Sequence, residues 1–306
     1  MSRFTVSASP HIGTSRTTQT IMRDVIIALV PAMVASVVLF GTRCVAVLAV
    51  CVIAAVLSEY IFNVIMKQEQ TVSDLSAVVT GVLLALNLPA SVPLWIAALG
   101  SVFAIIVVKS FFGGIGQNFA NPAITARIFL LISFSTAMTA NVFPKMDTVS
   151  SATPLAILSG AEGTLPSNMD LFLGKCGGAM GETCALALII GGIYLLARKV
   201  ITWHTPVAFI ATVFLFSAIL GQDPVAEILS GGLMIGAIFM ATDYASTPNT
   251  AAGKLVFGLG CGLITTLIRV YGSYPEGVSF SILLMNILTP YIERWTVTKP
   301  FGGVKA

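Results

Sequence analysis

From Cys44 to Met66 the chain carries a single charged residue, Glu59. A stretch of that kind needs either a large polar surround to hide it or a bilayer to receive it. The rest of the chain offers no such surround: 9% of its residues are charged and 56% are hydrophobic, where a soluble domain carries about 25% charged residues. Most of the surface is therefore read as facing lipid. Apolar runs recur at Val25–Phe40, Cys44–Ile65, Leu75–Leu88, Leu94–Val108, Ala123–Ala137, Cys184–Ala197, Pro206–Leu220, Ile228–Ala241, Leu255–Val270 and Val278–Ile292. A segment in hydrocarbon must satisfy its own backbone groups, so these ten runs predict helices rather than strands. The fold class expected is an all-α integral membrane protein with about ten transmembrane helices.

Two runs are short. Leu75–Leu88 and Ile228–Ala241 hold 14 residues each, where a full crossing takes about 20. One ends in Asn87-Leu88-Pro89 and the other in Thr242-Asp243-Tyr244. Short interrupted runs at matching places in two halves predict broken helices around a midplane site. The organisation expected is one membrane domain over 1–306. It comprises a cytoplasmic amino-terminal segment (1–21), two inverted five-helix repeats (22–134 and 181–293), an external loop between them (135–180), and a cytoplasmic tail (294–306). With ten spans and the amino terminus inside, twelve Lys and Arg fall on inner segments. Four fall outside, Arg43, Lys145, Lys175 and Arg269, which fits the positive-inside rule.

Several function classes are disfavoured. The net charge of +3 and the lack of a basic stripe argue against nucleic acid. No cleavable signal peptide is expected, because the first twenty residues are polar. The five cysteines (Cys44, Cys51, Cys176, Cys184 and Cys261) form no CxxC pair. They read as small buried apolar residues rather than cluster or zinc ligands. His11 and His204 fall in predicted loops without ligand partners. Trp95, Trp203 and Trp295 lie near run ends, as interface aromatics do.

Three polar stretches break the apolar pattern. The first, Asp147-Thr148-Val149-Ser150-Ser151-Ala152-Thr153-Pro154, lies in the longest polar interval. Read from its residues, it is a small-residue loop whose last threonine Pro154 keeps out of a helix interior. A capping segment and an accessible hydroxyl acceptor both fit it. The second is Phe111-Phe112-Gly113-Gly114-Ile115-Gly116-Gln117-Asn118-Phe119-Ala120-Asn121-Pro122. Its glycines allow unusual dihedrals, and Asn121-Pro122 can open a helix with proline at its first position. Side-chain amides both donate and accept, so Asn118 and Asn121 suit either a helix cap or a neutral heterocycle. No strand or GK[ST] accompanies the glycines, which excludes a Rossmann or P-loop reading. The third is Met240-Ala241-Thr242-Asp243 with Ser246-Thr247-Pro248.

These three stretches resemble the NqrB/RnfD family over nearly the whole chain. The Asp147, Ser150-Ser151-Ala152-Thr153 pattern is similar to the family's flavinylation motif, with Ser151 where a glycine is common. That resemblance implies covalent FMN on Thr153 through a phosphoester. It implies a second, non-covalent flavin (riboflavin) near Asn118, Asn121 and Asp243, and a urea-transporter-like fold. It further implies a subunit of an Rnf-type complex in a bacterial or archaeal plasma membrane, one that couples electron transfer between ferredoxin and NAD to Na+ or H+ translocation. Thr153 would then lie on the outer face. The other partners would be an FMN-bearing outer-face subunit and a cytoplasmic NAD/flavin subunit. The short polar amino terminus favours the RnfD side over a quinone-reducing NqrB-like subunit. A urea-transporter-like solute channel without redox role is the remaining alternative.

The membrane acids complete the reading. Asp24 and Asp74 open the first and third runs, where a carboxylate complements the helix dipole. Glu59 sits late in the second run; it either reaches the inner interface near Lys67 or serves cation passage. Asp223 and Glu227 are read as solvated.

Overall fold

The computed structural model describes residues 16–140, 153–272 and 276–297. Among these residues the regular structure is helical, without a strand. In the first half the helices are α1 (Thr18–Phe40), α2 (Arg43–Ile65), α3 (Ser76–Leu86), α4 (Leu94–Phe103) and α5 (Pro122–Ser133). Three short helices follow: α6 (Ser135–Met138), α7 (Pro154–Leu158) and α8 (Asn168–Leu173). The second half holds α9 (Ala185–Ala197), α10 (His204–Ile219), α11 (Pro224–Leu229), α12 (Leu233–Ile235), α13 (Ala251–Tyr271) and α14 (Val278–Thr296). Each of the ten apolar runs thus contains helix.

Four of these helices are long and apolar enough to cross a membrane: Thr18–Phe40, Arg43–Ile65, Leu94–Phe112 and Ala251–Tyr271. Their outward faces stay apolar; Val38, Ile53 and Leu259 are all exposed. In water such a surface would be strongly unfavourable, so lipid is its solvent. The chain is a membrane protein. Leu94–Phe112 is continuous because a π-helical stretch, Ala104–Lys109, and a 3-10 turn, Ser110–Phe112, extend α4.

Packing follows small residues. α1 lies against α9, where a Cβ on Gly191 would sit 2.2 Å from the Ala28 carbonyl oxygen. α2 packs on α3 and α4, with a Cβ on Gly81 only 2.9 Å from the Val52 Cα. α10 packs on α13 and α5 packs on α14. One apolar core runs through both halves, from Leu29 and Leu84 to Phe209 and Phe257.

The two short runs are broken helices. α3 stops at Leu86, and its open carbonyls are met from elsewhere: Gly181 N–H donates to Leu86 O at 2.7 Å and Met180 N–H to Leu88 O at 3.1 Å. Beyond the break, Arg43 donates to the Ala90, Ser91 and Val92 carbonyls. In the second half α11 ends at Leu229, α12 begins at Leu233, and π-helical Gly236–Met240 ends the run. Here Arg269 donates to the Glu227 and Ser230 carbonyls. Irregular backbone at membrane depth is tolerated only when its polar groups are met in this way.

Four sequence readings need correction. α1 begins at Thr18, inside the segment read as a polar tail, because the Thr17 hydroxyl caps it by accepting from Thr20 N–H. Asp24 is consequently a turn further in than a first-turn position. It is buried and held by Arg198 at 3.2 Å and the Tyr194 hydroxyl at 3.3 Å. His204 starts α10 rather than lying in a loop. Glu227 is buried beside Arg269 rather than solvated, because that arginine serves the α11 break.

Candidate functional site

One opening forms where the Gly-rich stretch turns back into α5. Gly113, Gly114 and Gly116 all adopt positive φ (111°, 94° and 83°), the left-handed region that glycine enters without penalty. This reversal delivers Asn118 and Asn121 to one cavity of about 500 Å³. Asp243, Phe239, Thr80 and Lys109 also line it. The size lies within the range of small-molecule and cofactor sites, and mostly apolar walls with a few convergent polar groups are their usual form. Asn121 is the N-cap of α5: its Oδ1 accepts from Ala123 N–H at 3.0 Å and Ile124 N–H at 3.3 Å. Its Nδ2 donates to the Met240 carbonyl at 3.3 Å. The capping reading of Asn121 therefore holds, and the same residue also faces the cavity. Asn118 precedes the helix, its Nδ2 held by the Ala120 carbonyl at 2.9 Å. Asp243 accepts from the Ser246 hydroxyl at 2.8 Å.

A second opening of about 210 Å³ contains Thr153 together with Arg127, Asn87, Thr139 and Glu276. Thr153 is half-buried and caps α7, its hydroxyl accepting from Ala156 N–H at 3.3 Å with Pro154 at the first helical position. Asp147, Ser150, Ser151 and Ala152 lie outside the described residues. Beneath Thr153, Arg127 donates to Glu182 at 2.5 Å, to Glu276, to Ser279 at 3.1 Å and to Asn87 at 3.1 Å. Glu182 stands in the turn before α9. Burial pushes its carboxyl above the usual carboxylate range, while Arg127 pulls it back.

Asn87 joins the two openings. It accepts from Arg127, and its Nδ2 faces the Met240 sulfur at 3.8 Å. Met240 in turn holds Asn121 through its carbonyl. The end of α3, the end of the second broken run and the start of α5 thus meet at one point.

Glu59 pairs with Lys109 at 2.7 Å and not with Lys67; both side chains are almost fully buried. Lys109 also donates to the Ser76 hydroxyl at 2.5 Å, and Thr71 donates to Glu59 at 2.7 Å. The second Glu59 oxygen has no partner among the described residues. Lys109 comes to this position through the π-helical stretch. The charge count places Lys109 and Arg127 on inner segments, with Arg127 alternatively inside the membrane layer; both are instead buried among the helices, and the signal for this is a charge inside an apolar run. No His/Cys/Asp/Glu grouping able to hold a metal occurs among the described residues. Cys44, Cys51, Cys176 and Cys261 are buried.

Known proteins share this sequence along its length. The model of the NQR2, RnfD, RnfE family matches residues 5–302. The chain is 52% identical over 306 residues to the D subunit of the Na(+)-translocating ferredoxin:NAD(+) oxidoreductase complex of Acetobacterium woodii, covering 99% of this chain and 96% of the relative. It is 41% identical over 322 residues to the D subunit of the proton-translocating ferredoxin:NAD(+) oxidoreductase complex of Clostridium ljungdahlii, with 98% and 96% covered. To the D subunit of the ion-translocating oxidoreductase complex of Escherichia coli (strain K12 / DH10B) it is 33% identical over 349 residues, with 99% of each covered.

Proposed function

Because this chain belongs to the NQR2, RnfD, RnfE family, we propose that it is the membrane electron-relay subunit of an Rnf-type complex. The complex couples electron transfer between ferredoxin and NAD to translocation of Na+ or H+. One relative is named sodium-translocating and another proton-translocating, so membership alone does not select the ion. In this reading Thr153 carries covalent FMN on the outer face of a bacterial or archaeal plasma membrane. A second flavin rests without a covalent bond among Asn118, Asn121 and Asp243. Both termini are cytoplasmic. The partners are an FMN-bearing outer-face subunit and a cytoplasmic NAD/flavin subunit.

One observation carries the reading: Thr153 and the Asn118–Asn121–Asp243 set belong to separate openings joined through Asn87 and Met240. A one-site channel has no use for that division. The residues present also fit the groups proposed. The cavity of about 500 Å³ is large enough for an isoalloxazine, and the two amides and the aspartate supply donors and acceptors for its polar edge. The half-buried Thr153 hydroxyl borders an open pocket into which a tethered group fits. The flavins supply the electron transfer; the chain positions them and sets their electrostatic surroundings. Asn121 fixes one wall of the inner cavity because it also caps α5. Arg127 places a cation beneath Thr153.

The packing supports two inverted five-helix repeats of the urea-transporter type. The first helices of the two halves pack together, as do the fifth, and within each half the second packs on the fourth. The test is flavin fluorescence of the denatured protein in a gel, wild type beside Thr153→Ala, each made with an active flavin transferase. A fluorescent band lost in the variant is expected. A dark wild-type band would return the chain to the channel class.

A further inference from the structure

Arg127 is one cation facing two carboxylates, Glu182 and Glu276. The Arg127 and Glu182 side chains are 5% and 2% exposed, and Glu276 is 35% exposed. Fully ionised, the group carries one uncompensated negative charge beside Thr153. Burial makes such a charge expensive, and two carboxylates sharing one site raise each other's affinity for a proton. The surroundings offer little relief. Across Gly231 and Gly232, Arg269 is already neutralised by Glu227 at 2.6 Å. On the α8 side, Asp170 is paired to Lys175, and Cys176 and Cys184 lie nearby. Burial pushes the Cys176 thiol up to about 12, so it stays neutral. Asn87 and Ser279 are uncharged. The Thr183 hydroxyl lines a narrow cleft with Thr153, Glu182 and Glu276, is buried, and has no partner among the described residues. An orphan hydroxyl in a polar cleft points to water there, and the half-open Glu276 leads from that cleft toward the outer side.

We propose that Glu182, Glu276 and Arg127 form a proton-exchange site for the outer pocket. Arg127 is a positioning residue that holds the two carboxylates together; Glu182 is the buried oxygen acid that keeps the proton. The proposal rests on the reading that Thr153 carries a redox group. When a reduced flavoprotein on the outer face delivers one electron to the pocket, one negative charge is added there. One proton then enters from outer water past Glu276, and an O–H bond forms on Glu182. When the electron leaves, that bond breaks and the proton returns by the same route. Charge balances at each step, and no group other than the carboxyl changes protonation.

Redox-difference infrared spectroscopy of the purified complex tests this, read at the carboxylic C=O stretch. A band that appears on reduction, disappears in Glu182→Gln and persists in Asp223→Asn is expected. For one proton per electron, the potential of the Thr153-bound group falls by about 59 mV per pH unit, the tenfold step of a one-electron couple, and this slope is reduced in Glu182→Gln. Without the covalent flavin, the Thr153→Ala protein still shows the titration of a buried carboxyl, and Thr153→Ala with Glu182→Gln lacks that component of the carboxyl signal. This last comparison decides the matter even where Glu182→Gln disturbs assembly. If the wild type carries covalent flavin by gel fluorescence but has no carboxyl band, the proton-exchange site is wrong and the flavin reading stands. A dark gel sinks the flavin reading first. A potential that follows sodium rather than pH overturns the proposal in favour of a cation held between the carboxylates.

Discussion

Arg127→Ala removes the one cation from a buried group of two acids. The side chain makes four hydrogen bonds: to Asn87, Ser279, Glu182 and Glu276. Two of these are ion pairs with carboxylates. Glu182 cannot follow its charge into water, since its side chain is 2% exposed. Breaking a buried pair by deleting one partner costs about 3–5 kcal/mol, because the remaining charge is left without compensation. At about 2 °C or more per kcal/mol for a chain of this size, the unfolding midpoint of the detergent-purified protein drops by roughly 6–10 °C. Combining Arg127→Ala with Glu182→Gln replaces the stranded charge by an amide and recovers about half of that loss. Arg198 provides the internal contrast. It also makes an ion pair, with Asp24 at 3.2 Å, but its side chain is 50% exposed. Arg198→Ala is therefore expected to cost no more than about 1 kcal/mol. Thermal unfolding followed by intrinsic fluorescence compares the variants directly. If Arg127→Ala and Arg198→Ala shift the midpoint equally, burial is not what gives the Arg127 group its strength, and the reasoning fails.

Other consequences are as specific. Glu59→Ala strands the buried Lys109 ammonium and is expected to cost about 3–5 kcal/mol, whereas Glu59→Leu with Lys109→Met restores stability; unfolding midpoints of the three proteins decide it. If Glu59 also serves ion passage, that stable double variant takes up no coupling ion in vesicles, and normal uptake would remove Glu59 from the path. Asn121→Ala loses the cap of α5 and destabilises by about 1 kcal/mol. It also halves or abolishes acid-extractable flavin while leaving the covalent gel band intact, and loss of both together would contradict two separate sites. Gly191→Ala drives a methyl against the Ala28 carbonyl oxygen and is expected to cost roughly 1–3 kcal/mol through overpacking. An unchanged midpoint there would mean that α1 and α9 are not in close contact.

The helices were legible because lipid demands long apolar runs, and each of the ten runs became helix. The cap at Asn121 was legible from Asn-Pro, and the turns at Gly113, Gly114 and Gly116 from glycine itself. Ends were less so. Thr17 starts α1 early through a hydroxyl cap that a hydropathy pattern ignores, and this moved Asp24 from a helix end to a buried partner of Arg198. Glu227 was misread for a related reason: its neighbours in sequence are loop-like, while the residue that buries it, Arg269, arrives from α13. Pairings between distant residues, such as Glu59 with Lys109 or Arg127 with Glu182, depend on how helices stack. Nothing local in the chain encodes them. Thr153 was singled out by its motif, yet the arginine beneath it sits in an apolar run and bears no motif at all.

The junction at Asn87 has a further consequence. Between the two openings stand an amide, a thioether and a main-chain carbonyl, none of which ionises near neutral pH. Carboxylates, by contrast, cluster at the Thr153 opening, and an ammonium with its carboxylate stands at the Asn118 opening. A partition built of such neutral groups offers no ionisable side chain to carry a proton, but in the proposed relay it is no obstacle to an electron, which needs only short separations and dense packing. In that reading the seam acts as insulation. The proposed electron route and the proton route are kept on different tracks, and a proton leak through this contact is closed by the chemistry of uncharged groups, the Asn87 amide and the thioether and carbonyl of Met240.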